Sequence, residues 1–453
     1  MAKKVDATNG KLVKLIFIYT IPLILSTILQ NLFNIADKAV LGNMAGSNAV
    51  ASIGATSSIS GLIINGAVGL STGTSIILAR YVGQKDDAKI KKTIDTSLIT
   101  ALLFGTVLGI AGVALAPAFL DITNCPPECY DGALVYMRIY LAGTPATLLY
   151  NYGSAILRTL GDTQKPLAYI TVSGVVNVVL NVILCFILPQ KVMAVAIATV
   201  VSKIVSVVLV LRRLSRFEGN VRLSIPKMRF DSGTFSQILR FGIPASISNL
   251  MYPIANLQIV TAINSFGVDA VAGCSGAESV HSIVGAFASG FAVATTTFIG
   301  QNIGANKPER VRKSFWYMLG FNVLISGSLG FFLYFTGRFW LGVIIGASAK
   351  EAIEFGLKRM FFVTFFVFIS AGNQTLSHAL QAFGYPMFTS ISNIMFTLVF
   401  RTFWMQILYP KAPTFSNLMF CFTVSWTLNL ILYSVFFAII YIRYTKKGIC
   451  KKI

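Results

Sequence analysis

The sequence is poor in charged residues, and acids are the scarcest of them. Only 12% of its 453 residues are charged, against about 25% in a typical soluble domain. It contains neither a GxxxxGK[ST] phosphate-binding loop nor an HExxH zinc motif, and its cysteines have no partner pair with the spacing of zinc ligands. These absences argue against a soluble protein, direct use of ATP, a tightly bound metal and a membrane-embedded enzyme.

Long apolar runs are what the chain has instead. Hydrophobic residues make up 55% of the sequence, and the runs Ile99 to Phe119 and Ile391 to Leu408 match the roughly 20 residues that cross a bilayer. The pattern predicts an all-α integral membrane protein with about twelve transmembrane helices. We place them at 14–41, 51–80, 92–118, 131–160, 166–188, 191–212, 236–264, 269–300, 311–336, 351–383, 386–409 and 416–443.

The distribution of the net charge of +21 indicates how the chain is oriented in the membrane. With an even number of spans both termini lie on one side, and the loops on that side carry most of the basic residues. They are Lys3, Lys4, Arg80, Lys85, Lys89, Lys91, Lys92, Arg212, Arg213, Arg216, Arg222, Lys227, Arg229, Arg240, Lys307, Arg310, Arg312, Lys313, Arg443, Lys446, Lys447, Lys451 and Lys452. The opposite loops carry Lys191, Arg338, Lys350, Lys358, Arg359 and Lys411. We therefore expect a cell (inner) membrane protein with cytoplasmic termini, and the lipid bilayer explains the charge without nucleic acid.

The helices divide into two similar halves around the basic segment 212–240. Ile21-Pro22 recurs as Ile243-Pro244, and Leu157 and Gly161 recur as Leu380 and Gly384 at almost the same offset along the chain. Such ordered landmarks indicate an internal repeat. We predict two pseudo-symmetric six-helix lobes, 1–225 and 226–453. Each lobe has an even helix count, so the repeat is parallel, an arrangement typical of transporters that work by alternating access.

Polar residues within the spans are the candidate functional residues, because a charge at membrane depth costs about 3 kcal/mol or more. Asp37 lies late in the first helix, where Asn34 shares its face. Pairing with Lys38 is the structural alternative. Asn177 and Asn181 share a face of the fifth helix, and Thr199 and Lys203 share one of the sixth. Lys203 either pairs with Asp37 or extends toward an interface.

Other polar residues are weaker candidates. Glu278 and His281 are three residues apart in the eighth helix, and His281 could titrate near neutral pH. His378 and Arg401 are expected to be structural. Cys125 and Cys129 either form a small disulfide or remain free thiols.

The chain resembles the multidrug and toxic compound extrusion (MATE) transporters over almost its whole length, and three segments carry this resemblance. They are Asn34-Ile-Ala-Asp37-Lys38-Ala-Val-Leu-Gly42, Leu157-Arg158-Thr-Leu-Gly161-Asp162-Thr163-Gln-Lys-Pro166 and Phe298-Ile-Gly300-Gln301-Asn302-Ile-Gly304-Ala305. The resemblance implies twelve helices in two lobes. It also implies export of small organic, often cationic, drugs or toxic compounds in exchange for H⁺ or Na⁺, without a cofactor. We expect a monomer.

One branch of that family has an acid on helix 1, an Asn and an Asp on helix 5 and a Thr on helix 6. By resemblance Asp37, Asn177 and Thr199 fill three of these ion-coupling positions, and Asn181 replaces the second acid. Asn34, Lys203, Glu278 and His281 are possible accessory residues. One carboxylate favours protonation of Asp37 over Na⁺ binding.

The halves differ in chemistry, since Ile259 stands at the repeat position of Asp37. A flippase for a lipid-linked sugar, from the same superfamily, is the main alternative. A flippase often has several cations in its cleft, and Lys203 and Arg401 are the two strong candidates here. This count favours the exporter.

Overall fold

The computed structural model describes residues 5–45, 47–123, 125–217 and 221–447. Lys3, Lys4, Lys451 and Lys452 lie outside this part, and so do the side chains of Lys38, Lys446 and Lys447. The described residues form α-helices with short π and 3₁₀ segments, and no strand occurs among them. The helices are α1 Leu12–Ala45, α2 Ser47–Gln84, α3 Asp87–Ile122, α4 Pro127–Ala142, α5 Thr144–Thr159, α6 Gln164–Ile187, α7 Lys191–Ser215, α8 Ser232–Asn264, α9 Val268–Gly304, α10 Pro308–Phe335, α11 Gly337–Ile345, α12 Lys350–Met360, α13 Val367–Ala382, α14 Pro386–Asn393, α15 Phe400–Phe403 and α16 Phe415–Lys447.

Grouped by continuity, the described helices make twelve spans, six before the central segment and six after it. The fourth span is α4 followed by α5, with Gly143 between them and a proline in the first turn of α5. The tenth span joins α12 to α13 through the π-helix Phe361–Phe365. The eleventh runs through α14, Ile394–Val399, α15 and Trp404–Leu408, and two of these four pieces are π-helical. The all-α, twelve-span prediction is confirmed.

Nine stretches of the described residues are long and apolar enough to cross a membrane. The fourth and tenth spans are left out of this set because their individual helices have only 11 or 16 residues. Helix α8, the seventh span, has 33 residues, so its composition rather than its length sets it apart.

The repeat is visible in the backbone as well as in the sequence. Gly161 ends the fourth span with a φ of +86°, and its repeat counterpart Gly384 ends the tenth with a φ of +95°. Positive φ is adopted most easily by glycine, which explains why both copies keep it. Lys85 and Asn306, which follow α2 and α9, have φ values of 57° and 53° at matching helix ends. The same turns therefore close the same helices in both halves.

Packing contacts divide the chain into two compact units. Unit 1 comprises residues 1–6 and 25–246, and unit 2 comprises residues 7–24 and 247–453. Helix α1 thus begins in unit 2 and ends in unit 1, and α8 does the reverse. The lobe boundaries proposed from the sequence, 1–225 and 226–453, describe the repeat and stay a prediction.

Within unit 1, small residues bring α2 against the start of α8. A Cβ added to Gly69 would lie 2.3 Å from the Cα of Ser246, and one added to Gly73 would lie 2.6 Å from the backbone of Gly242. The Ser246 hydroxyl also donates to the Gly66 carbonyl at 2.8 Å. These glycines therefore serve close helix packing.

The start of α8 is fixed by an aspartate that caps the helix. Asp231 accepts hydrogen bonds from the backbone and side chain of Thr234 at 2.8 and 2.7 Å, and it pairs with Lys92 at 2.8 Å. The hydrogen bond from Lys92, followed by those from Thr234, lowers the pKa of Asp231 to about 2. The carboxylate therefore stays charged at the helix N-terminus, where a negative charge is favourable.

Within unit 2, the chain before α1 is held by polar groups at the end of α9 and the start of α10. Asn302 Nδ2 and Arg310 Nε donate to the Ala7 carbonyl at 3.1 and 2.8 Å, and Lys307 Nζ donates to the Thr8 carbonyl at 2.8 Å. Asn302 and Lys307 belong to or adjoin one of the family-like segments, so that segment has a structural role here.

Candidate functional site

Unit 1 encloses a cavity of about 460 Å³ among six helices. Residues of α1, α2, α4, α5, α6 and α7 line it, and most are polar or aromatic. Among the sequence-predicted site residues, the cavity brings together Asn34, Asp37, Asn177, Thr199 and Lys203. Other lining residues that the sequence did not single out are Gln30, Asn31, Phe33, Thr56, Ser60, Tyr136, Tyr140, Thr147, Tyr150, Asn151, Ser173 and Ser202.

Asp37 is the acid of this cavity, and Asn181 holds it. Asn181 Nδ2 donates to Asp37 Oδ1 at 2.6 Å and lies 3.4 Å from Asn177 Oδ1. Asn181 is fully buried, whereas Asp37 is half-buried. This hydrogen bond fixes the Asp37 carboxylate against α6. The Lys38 side chain, the alternative partner expected from the sequence, lies outside the described residues.

A close approach of α1 and α6 brings these two groups together. A Cβ on Gly174 would lie 1.9 Å from the ring of Phe33, so only a glycine leaves room for that ring. Asp37 follows Phe33 by one turn of α1, and Asn177 and Asn181 follow Gly174 along one face of α6. The small residue thus sets the spacing of the acid and the amides.

Lys203 shares the cavity with Asp37 without a salt bridge to it. Its Nζ lies 5.7 Å from the centre of the Tyr150 ring, and it has no hydrogen bond or ion pair with another described residue. The proposed Asp37–Lys203 pair is therefore not formed. Because both side chains line the same cavity, opposite charges on them attract each other across it.

Thr199 and Asn34 complete the polar lining on this side. The Thr199 hydroxyl donates to the Val195 carbonyl of its own helix at 2.9 Å, which leaves its oxygen lone pairs available as acceptors. Asn34 lies one turn before Asp37. Around Asp37 the cavity therefore offers neutral oxygens and amides but no second carboxylate among its described residues.

Unit 2 contains a separate ionisable group that the sequence located only in part. Glu278 forms an ion pair with Arg359, and His281 Nδ1 lies 3.5 Å from the Thr364 hydroxyl. Counting Arg359 with the external loops was wrong, and the predicted tenth span 351–383 already included it: Arg359 lies in α12 with 8% of its surface exposed. A sequence signal for this pair does exist. A guanidinium within a predicted span requires a carboxylate, and Glu278 lies within another span of the same half.

Arg401 is buried in unit 2 with 1% of its surface exposed. Its Nε donates to Ser425 at 3.1 Å, its Nη1 donates to Asn256 at 3.2 Å, and its guanidinium lies 4.4 Å from the centre of the Phe422 ring. These neutral and aromatic neighbours hold the cation between α8, α15 and α16, as in a structural role. His378 lies 2.9 Å from the Thr296 hydroxyl in the same unit.

Other chemistries find little support in the described part of the chain. No group of three His, Cys, Asp or Glu residues there has the arrangement of a metal site. Cys125 and Cys129 are both free thiols. Gly69-Leu-Ser71-Thr-Gly73 has the GxSxG spacing of serine hydrolases, but Ser71 donates to the Val68 carbonyl inside α2 and its glycines pack on α8.

The chain is similar to known proteins along most of its length. The MatE family model matches it twice, over residues 22–183 and 244–404. The Bacillus subtilis (strain 168) protein called "Probable multidrug resistance protein YoeA" is 25% identical over 388 residues, which cover 83% of this chain and 82% of that protein. "Probable multidrug resistance protein YpnP" of the same organism is 26% identical over 417 residues, or 91% of each chain.

A solved structure described as MATE in the bent conformation has the same fold. It is 22% identical, covers 99% of both chains and superposes with a TM-score of 0.90. The two family matches fall one in each half, in agreement with the repeat of turns at Gly161 and Gly384. This chain is a multi-pass membrane transporter and not an enzyme, and it belongs to the MatE family.

Proposed function

We propose that this chain exports small organic, often cationic, compounds across the cell membrane in exchange for an entering proton carried by Asp37. The observation that carries the proposal is a membrane-embedded cavity with one acid among its described lining residues, held by an amide at 2.6 Å. In this proposal the protein works as a monomer with cytoplasmic termini, without ATP or a cofactor.

The proton is favoured over sodium by the ligands around Asp37. A hard cation such as Na⁺ binds best to several oxygens that include more than one carboxylate. Here the Asn181 side chain donates an N–H to the Asp37 carboxylate. A metal cation that binds this carboxylate would have to displace that donor. A proton needs only the carboxylate itself.

The substrate class follows from the cavity lining and from the relatives. Phe33, Tyr136, Tyr140 and Tyr150 present rings to the cavity, and aromatic faces bind flat or cationic organic compounds. The names of YoeA and YpnP describe multidrug resistance, which supports export of several such compounds rather than of one metabolite.

The proposed exchange uses one carboxylate in two states. Ionised Asp37 attracts a cationic substrate that enters from the cytoplasmic side. A proton that enters from outside converts Asp37 to the neutral acid, which removes that attraction and releases the substrate. The proton leaves Asp37 on the cytoplasmic side, where its concentration is lower, and the cycle repeats by alternating access.

A lipid-linked sugar flippase is the alternative. It would need several cations free to bind pyrophosphate. Among its described lining residues the unit 1 cavity offers Lys203 alone, balanced by Asp37, and Nε and Nη1 of the buried Arg401 already donate to Ser425 and Asn256. The charges therefore favour the exporter.

Ethidium efflux from vesicles under single gradients tests the coupling. We expect efflux under a pure pH gradient, acidic outside relative to the cytoplasmic face, and no efflux above background under a pure Na⁺ gradient. Efflux driven by Na⁺ alone would contradict the proton proposal.

The variant Asp37→Asn tests the residue. It keeps the size of the side chain and removes the titrating group, so pH-driven efflux should fall to background while the protein folds normally. Asp269→Asn is the matched control, because Asp269 is exposed in the first turn of α9. Normal efflux by Asp37→Asn would overturn the assignment.

A further inference from the structure

Proton exchange at Asp37 leaves the second charge of the cavity without a role. Lys203 lies on α7, one turn after Thr199, and lines the cavity that contains Asp37. Its ammonium has no hydrogen bond or ion pair with another described residue, and it lies 5.7 Å from the centre of the Tyr150 ring. A charged group kept at membrane depth without a fixed partner is costly, which points to a function.

The titratable groups that face Asp37 and Lys203 are few. Among the described lining residues, α4 contributes Tyr136 and Tyr140, α5 contributes Tyr150, and α2 and α6 contribute none. Tyrosines are neutral at physiological pH. The charge of the cavity is therefore set by two residues, and their charges cancel while Asp37 is ionised. When Asp37 is protonated, the cavity has one net positive charge, which is that of Lys203.

We propose that Lys203 sets the charge selectivity of this cavity, as a tethered cation that competes with cationic substrates for Asp37 and repels them once Asp37 is protonated. This inference rests on the proposed function, because it takes the cavity as the substrate site. It assigns substrate release to two effects, the loss of attraction by Asp37 and the unbalanced charge of Lys203.

The proposal separates binding strength from release. Without Lys203, a cationic substrate should bind more tightly to the ionised cavity, because no tethered ammonium competes for Asp37. Opposite charges that share a partly hydrated cavity interact strongly enough to change a binding constant about tenfold or more. The pH at half-maximal binding should also move upward, since Asp37 then takes up its proton without an opposing cation nearby.

Two ions of matched size and opposite charge test the inference. Tetraphenylphosphonium and tetraphenylborate are titrated onto the full-length protein in nanodiscs, with empty nanodiscs as background. Relative to the unmodified protein, Lys203→Met should bind the phosphonium about tenfold more tightly and the borate about tenfold more weakly. Lys203→Arg should restore both affinities. Lys313→Met, an exposed lysine of unit 2, is the control and should change neither.

Asp37→Asn provides a second test that leaves Lys203 in place. In that variant Lys203 is the remaining charge of the cavity, so the borate should bind more tightly than the phosphonium. Equal affinities of Lys203→Met and the unmodified protein for both ions would overturn the inference. An Asp37→Asn protein that binds the phosphonium and the borate equally well would also overturn it, as would an absence of binding in every variant. Vesicle efflux under a pH gradient tests the proposed function separately, so the two failures are distinguishable.

Discussion

In the proposed coupling site, Asp37 is paired with the amide of Asn181 rather than with a second acid. The amide donates to the carboxylate at 2.6 Å, where a second acid would instead repel it or share a proton with it. Helical spacing predicted that Asn177 and Asn181 share a face that could lie opposite Asp37, but spacing does not predict the hydrogen bond between Asn181 and Asp37. The contact forms because Gly174 admits the Phe33 ring.

Replacement of Asn181 by aspartate tests this reading. Asn181→Asp should place two carboxylates within hydrogen-bond distance, and we expect efflux driven by a pure Na⁺ gradient to rise at least severalfold, because two acids bind Na⁺ better than one. Asn151→Asp adds an acid elsewhere in the same cavity and serves as the control. If folded Asn181→Asp protein still exports ethidium under a pH gradient but shows no increase in Na⁺-driven efflux, the account is contradicted.

Two other residues show where periodicity is insufficient. Lys203 was a candidate partner of Asp37 and instead lies by Tyr150. Arg359 was placed in a loop and instead pairs with Glu278. In both cases the determining contact joins two helices distant in sequence, and the hydrophobic pattern of one helix contains no information about its neighbour.

At the scale of the helix, apolar runs located every span but not its internal geometry. The fifth span, predicted at 166–188, is Gln164–Ile187. The third begins at Asp87 rather than near 92, since its first turn is charged and extends beyond the apolar run. The π-helices at Phe361–Phe365, Ile394–Val399 and Trp404–Leu408 have no sequence signal of their own. They lie within unit 2, and Arg401 lies between two of them, in line with the association of π-helices with functional positions.

The contact between α2 and α8 yields a prediction at the same scale. Gly69→Ala would place a methyl group 2.3 Å from the Cα of Ser246, and this clash is with backbone that has little room to move. We expect a loss of about 1 to 3 kcal/mol in stability, measured as a lower melting temperature and a lower folded yield in detergent.

Gly285→Ala is the control for this substitution. Gly285 lies in α9 with nothing within 4 Å of an added Cβ, so the Gly285→Ala protein should have the melting temperature of the unmodified protein. Equal melting temperatures for Gly69→Ala and Gly285→Ala would show that the close approach of α2 and α8 does not limit stability.

For the whole molecule, the repeat extends to the backbone but not to the chemistry. The turns at Gly161 and Gly384 match, whereas Ile259, the counterpart of Asp37, is 1% exposed in an apolar cluster of unit 2. Unit 2 instead contains the Glu278–Arg359 pair. Duplication therefore preserved the helix framework, which depends on turns and packing, while individual polar residues diverged. That explains why the sequence was sufficient for the fold and insufficient for the contacts of the site.

The central claim is that one carboxylate binds either a proton or a cationic substrate. The most direct test is proton release on ethidium binding by the purified protein in weak buffer, followed with a pH indicator over a range of starting pH. We predict release of up to about one proton per bound ethidium, greatest where Asp37 begins protonated, and none from Asp37→Asn. Equal release by Asp37→Asn and the unmodified protein, or binding without release at every pH, would contradict the account.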